Sequence, residues 1–416
     1  MEKLLVVLSF ILIFAFNSVD NSVAPLVGPM SADFGVSKEK ALLLISICTS
    51  GTVAGLIFGP SLVASFNLKK LLAWCTVIMA VSQFGFALST SMPQAMFLRA
   101  AAGLSSGLIA SVMWHLTFHG VSKDYFPAMI AVLMSARPLA TAIGVPAAGL
   151  MTAKYSWHQP IIITAILTTA SGLILARFYP NDGEHSPEEQ EQSRNKNGGT
   201  SENSGIAGIL KKIVMPYIDA LSVPYAMTYY IGSTINRMAY FGFYSFCGLW
   251  FMKHYGMGIE KISLALLIIG LADCLVNFIT NSIIKKLGHR FTFLFSITAS
   301  LAVLPAFIYG TLPVKAAIAV IAVFMTLDRI YSMALVISVP DMFPSLGSKT
   351  AFGSLNTLTA WGAMAIIAGI QGTFTEAWGM GAIETLLIVC FVIGSAMVTY
   401  IQWKTVFPKK KVPTAA

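Results

Sequence analysis

Residues 93–116 read PQAMFLRAAAGLSSGLIASVMWHL, twenty-four residues in which Arg99 is the only side chain carrying a full charge at neutral pH. A helical bilayer crossing takes roughly 20 predominantly apolar residues, so this stretch is long enough to span. An arginine at a helix centre costs roughly 2.5–3.5 kcal/mol on insertion scales. Arg99 must therefore face a partner or a cavity rather than lipid. Stretches of the same kind recur on both sides of it, and the predicted spans of the first half are 4–26, 41–63, 71–88, 93–116, 127–151 and 160–178. Those of the second half are 224–251, 262–284, 291–309, 314–339, 351–374 and 382–403.

Composition agrees with this reading. Only 11% of the 416 residues are charged and 56% are apolar, whereas soluble domains carry about a quarter charged residues. The expected fold is an all-α polytopic membrane protein, with twelve transmembrane helices in two pseudo-symmetric six-helix bundles at 1–180 and 222–404. The run 4–16 resembles a signal peptide, but no small-residue cleavage site follows and the apolar segment continues to Leu26, so it is read as a permanent helix.

Between the bundles, 181–204 reads NDGEHSPEEQEQSRNKNGGTSENS, too polar to bury a core and expected to be a mobile tether. The linker continues to 221, where Lys211 and Lys212 beside Ile209, Leu210, Ile213 and Val214 suit either a short amphipathic helix or a plain extension. A basic tail fills 405–416. Lys and Arg concentrate on one set of loops, among them Lys69, Lys70, Lys123, Arg177, Lys211, Lys285, Lys286, Arg290 and Lys404. By the positive-inside bias, both termini and the linker are expected in the cytoplasm of an inner-membrane protein. The net charge of +9 is spread over helix ends rather than gathered in a patch, so nucleic acid is not an expected partner. Cys48, Cys75, Cys247, Cys274 and Cys390 lie singly in apolar segments without metal-ligand spacing and are read as packing residues.

An internal repeat links the halves. Gly35, Glu39, Lys40 and Lys69 align with Gly256, Glu260, Lys261 and Arg290 at a constant shift of about 221, and Trp157 aligns with Trp378. One ungapped register over that distance points to a parallel duplication.

Six plus six helices around a central linker resemble the major facilitator superfamily. The stretch Leu98-Arg99 followed by Gly103 and Gly107 is similar to that family's fourth-helix motif, with Arg99 at the motif arginine. Asn17, Asp20, Asn21 and Pro25 resemble the acidic first-helix motif of the drug:proton antiporter group. Gly144-Val145-Pro146 to Gly149, followed by Trp157, resembles its fifth-helix motif, although Val145 and Leu150 replace glycines. The inner-loop motif G-x-L-A-D-R-x-G-R-R is eroded, with Ala64, Ser65 and Asn67 in place of Asp, Arg and Gly. Its echo at 285–290, KKLGHR, keeps the glycine and the basic end. The resemblance implies transport by alternating access and no enzyme activity.

Candidate residues follow from charge in hydrocarbon. Asp20, late in an outward helix, and Arg99, early in an inward one, share a depth and can meet. A carboxylate beside a guanidinium stays ionised, and the same carboxylate desolvated alone takes up a proton. Asp20, Arg99, Asp328 and Asp273 are therefore the proton-coupling candidates, against a static pair that only fixes packing. Neighbours Asp328 and Arg329 point about 100° apart on a helix and cannot share one partner, and Asp328 is expected to pair with Arg237. Arg137 has no acidic residue at its depth in the sequence, which suits an anion contact or a bond to backbone carbonyls.

Substrate-binding candidates are Arg137, Arg237, Asn17, Asn21, Tyr229, Tyr230, Tyr240 and Arg329, although packing and interfacial belts account for many such aromatic residues. His115 and His119, four residues apart, are read as an interfacial pair without chemistry. No phosphate loop, catalytic constellation or metal cluster is legible, so no cofactor or metal is expected. The expected partners are a small-molecule substrate, protons and the bilayer, and a functional monomer is expected. Drug-like export and organic-anion transport compete, with a non-transporting receptor or scaffold as the third class.

Overall fold

The computed structural model describes residues 1–36, 38–180, 206–257, 259–304, 312–344 and 348–407; most of the predicted tether and tail lies outside them. Among the described residues every regular element is helical, as a hydrocarbon solvent requires, because a helix satisfies its own backbone hydrogen bonds. Among the described residues, nine helices are long and apolar enough to cross a membrane. The chain divides into two compact units, Met1–Ala220 with Gly347–Leu355, and Leu221–Leu346 with Asn356–Ala416.

The first unit comprises α1 (Glu2–Asp33), α2 (Lys38–Ser65), α3 (Leu68–Ala87), α4 (Met92–His119), α5 (Phe126–Leu139), α6 (Val145–Lys154), α7 (His158–Phe178) and α8 (Ile206–Ser222). Helices α2 and α4 pack closely because glycines lie on both facing surfaces. A Cβ on Gly55 would press on the α4 backbone at Gly107 and Leu108, and one on Gly107 would press on the α2 backbone at Gly55 and Leu56. Small residues substitute here for a hydrophobic drive that lipid cannot supply. The predicted fifth span is not one regular helix. Pro138 and Pro146 flank a π-helical turn, Ala140–Gly144, that separates α5 from α6, because each proline removes a backbone donor from the ladder.

Helix α8 shows why the basic-apolar stretch at the end of the linker folds. Pro60 lies inside α2 and cannot donate to the Leu56 carbonyl four residues back. The Tyr217 hydroxyl of α8 donates to that carbonyl at 2.5 Å and to the Ile57 carbonyl at 3.0 Å. Burial pushes the Tyr217 hydroxyl above its ordinary range, so it remains a donor across physiological pH.

The second unit holds α9 (Ala226–Tyr255), α10 (Ile259–Leu287), α11 (His289–Val303), α12 (Val314–Ile337), α13 (Val339–Met342), most of α14 (Lys349–Trp378) and α15 (Met380–Thr405). Its core gathers Phe243, Trp250, Phe251, Phe324 and Phe391. Gly35 and Gly256, which the repeat aligns, both follow a long helix with positive φ, 61° and 60°, a conformation glycine adopts without a Cβ clash. The aligned tryptophans differ. Trp157 is buried and its Nε1 donates to Asp33 at 2.5 Å, whereas Trp378 is 68% exposed.

Candidate functional site

In the first unit, α1 and α4 bring Asp20 and Arg99 together. The Nη1 to Oδ1 distance is 2.9 Å, with the arginine side chain 2% and the aspartate 18% exposed. Two further contacts hold the guanidinium. Its Nε donates to the Leu44 carbonyl at 3.4 Å, and its carbon lies 5.4 Å from the Phe86 ring centre. Cys48, read from sequence as packing, also reaches the pair, its thiol donating to Asp20 Oδ1 at 3.5 Å. The site is therefore a buried ion pair with one partner more accessible than the other.

The remaining first-unit candidates separate. Asn17 is buried, but its amide donates to the Ile13 carbonyl of its own helix at 2.7 Å. Asn21 and Arg137 are half-buried. Arg137 lies in the last turn of α5, beside the π-helical turn. His115 and His119 stack with ring centres 4.7 Å apart, and His115 Nδ1 lies 3.2 Å from Thr350 Oγ1.

In the second unit the expected ion pair between Asp328 and Arg237 is not formed. Arg329 instead grips Asp273 of α10 through both carboxylate oxygens, Nε to Oδ1 at 2.8 Å and Nη2 to Oδ2 at 3.0 Å. The Tyr240 hydroxyl donates to Asp273 Oδ2 at 2.9 Å, accepts from Arg329, and its ring lies 4.6 Å beneath the guanidinium. Arg237 of α9 donates to the carbonyl and side chain of Asn356 and to Thr359, both on α14, while Tyr229 donates to the Asn356 side chain at 3.2 Å. The planar fork satisfies itself on amide and hydroxyl oxygens rather than on a carboxylate. Asp328 is 2% exposed, and its Oδ1 has no hydrogen-bond partner among the described residues. Tyr230 packs edge-on against Tyr229 at 5.3 Å.

Sequence reasoning missed Asn356 and Thr359; polar residues in an otherwise apolar span were the available signal. Among the described residues no group of three His, Cys, Asp or Glu side chains could hold a metal ion, and all five cysteines are free.

Two helical units, each holding an arginine–carboxylate pair, accord with the sequence comparison. The sequence model of the Major Facilitator Superfamily matches residues 6–368. The chain belongs to the Major Facilitator Superfamily. It is thus a multi-pass membrane transporter of small molecules, not an enzyme, with the twelve-helix fold. It is similar to the uncharacterized MFS-type transporter YceJ of Bacillus subtilis strain 168, 22% identical over 282 residues, covering 68% of this chain and 67% of that one. Among solved structures it resembles the human organic anion transporter MFSD10 (TETRAN), with a TM-score of 0.70 at 15% identity, over 95% of this chain and 99% of that chain. It also resembles the proton:xylose symporter XylE bound to 6-bromo-6-deoxy-D-glucose, with a TM-score of 0.66 at 13% identity, over 97% and 95% of the two chains.

Proposed function

We propose that this superfamily member is a proton-coupled secondary active transporter, exporting an amphipathic, drug-like organic solute by alternating access between its bundles across an inner membrane. The observation that carries the reading is the buried Asp20–Arg99 pair. An ion pair in a low-dielectric bundle is stable only while both partners stay together. If the transport cycle parts them, a desolvated Asp20 takes a proton, and re-pairing releases it. Such a cycle couples proton movement to the change of access. Both termini and the linker are assigned to the cytoplasm from the basic loops, and the unit of function is taken to be the monomer.

One observation favours a second reading, transport of an organic anion. Arg237 is half-buried and bonded to neutral groups, and among the described residues no carboxylate lies within ion-pair distance of it. A guanidinium held this way retains charge for an anionic substrate. The structural likeness to a human organic anion transporter supports the same reading.

The test is in two steps. A thermal-shift screen of metabolites and drugs identifies ligands, and proteoliposomes then report proton flux under a gradient of each hit. Proton movement opposite to a lipophilic solute supports export, and preference for anions supports the second reading. Solute flux without proton movement would overturn the coupling.

A further inference from the structure

We infer that His254 and Glu384 form a proton-binding station in the second unit, separate from the Asp20 and Asp273 pairs; the role assigned to it rests on the proton-coupled reading above. Glu384 lies in the second turn of α15, and His254 lies in the last turn of α9. The imidazole Nε2 is 3.5 Å from Glu384 Oε1, with the histidine side chain 32% exposed and the glutamate 4%. Among the described residues Oε1 makes no conventional hydrogen bond. Asp20 and Asp273, by contrast, each have an arginine at 2.9 Å or less.

A buried carboxyl oxygen facing a solvent-reachable imidazole is an arrangement for passing a proton inward. Histidine is the side chain whose ordinary titration falls in the physiological range. A proton from bulk water adds to the neutral imidazole at Nε2, giving an imidazolium beside the carboxylate. It then moves from Nε2 to Oε1, leaving a neutral imidazole and a neutral carboxyl. No other bond forms or breaks.

The surroundings limit what else can hold the acid. Glu384 is faced from α9 by His254 and Trp250, and no other charged group of the described residues lies within ion-pair distance of it. The buried Trp250 ring stands 5.2 Å from His254 and 5.3 Å from Tyr255, walling off the apolar side. Positions 254, 251, 247, 244 and 240 share one face of α9 by their three- and four-residue spacing. That face runs about 21 Å from the imidazole to Tyr240, whose hydroxyl bonds Asp273. The station therefore lies on the same helix as the buried Asp273–Arg329 pair, at the end that the basic-loop bias assigns to the outside.

The test compares wild type, Glu384→Gln and His254→Gln as full-length protein in proteoliposomes. Infrared titration should show a protonated-carboxyl band whose pH-dependent part is missing in Glu384→Gln and displaced in pH in His254→Gln. Uphill solute flux at low proton concentration should fall several-fold in both variants, while solute exchange at equal pH and the thermal midpoint remain close to wild type. A carboxyl titration unchanged by Glu384→Gln would overturn the station, whatever the transport result. Unchanged proton-driven flux in both variants, with a coupled wild type, would overturn its role and leave the Asp20 reading standing. A wild type without proton dependence would sink that reading instead. Loss of folding in either glutamine variant is checked with His254→Asn and Glu384→Met, where a wild-type carboxyl titration in both would count against the proposal.

Discussion

At the scale of single residues, charge in a low-dielectric setting decides what each side chain can do. Removing one partner of a buried ion pair costs about 3–5 kcal/mol, much of it the cost of leaving the other charge buried and unpaired. Arg99→Ala should therefore lower thermal stability markedly, because Asp20 loses its guanidinium at 2.9 Å. Asp20→Asn leaves the more deeply buried Arg99 with only a neutral acceptor, so it too should lower stability, and it is expected to abolish uphill, proton-driven transport while solute binding persists. A double-mutant cycle with Arg99→Gln measures the coupling, and wild-type coupling in a correctly inserted Asp20→Asn protein would move the carrier elsewhere.

His289, outside the predicted span, gives a pH prediction. Burial lowers its pKa against the opposing effects of its bond to Gln402 and of Asp341. A depressed folded-state pKa contributes stability above the unfolded value, lost as pH falls through the folded one. Acidifying below about pH 6.5, the ordinary histidine value, should lower the thermal midpoint, and His289→Gln should flatten that part of the profile.

At the scale of elements, small residues and prolines set which helices touch. Gly107→Val would force a side chain into the α2 backbone, where even a Cβ has no room. Overpacking of this kind costs typically about 1–3 kcal/mol, and loss of the folded fraction in detergent measures it. Tyr217→Phe removes the donor serving the Leu56 carbonyl that Pro60 leaves open. An orphaned buried acceptor costs about 1–3 kcal/mol, so hydrogen exchange in 206–222 should accelerate while α2 stays protected. Equal exchange in wild type and variant would show that other contacts hold α8.

At the scale of the whole molecule, the duplication and the basic loops make topological claims. Tags at Gly198 and at the carboxyl terminus should both be reached only from the cytoplasm, by the positive-inside bias; labelling either from outside intact cells would reverse the map. Deleting residues 188–197 should leave transport largely intact, because a segment of this composition contributes reach rather than contacts. Complete loss of flux in an inserted deletion protein would show that the segment binds something.

The all-helical membrane fold, the superfamily and the Asp20–Arg99 contact were legible in the sequence because they follow from hydropathy, spacing and depth, which a helix converts directly into position. The repeat likewise placed Gly35 and Gly256 at matching helix ends. Partner choice in the second unit was not legible. Whether Arg237 would take Asp328 or the Asn356 amide, and whether Arg329 would reach Asp273, depends on helix rotation and on which face of α14 and α10 each guanidinium meets. The same holds for His254 and Glu384, some 130 residues apart in the chain and 3.5 Å apart in space. Local periodicity determines that a segment is a helix and roughly how deep each residue lies. Only tertiary packing determines azimuth, and in a low-dielectric bundle azimuth decides whether a buried charge meets a counter-charge, an amide or nothing.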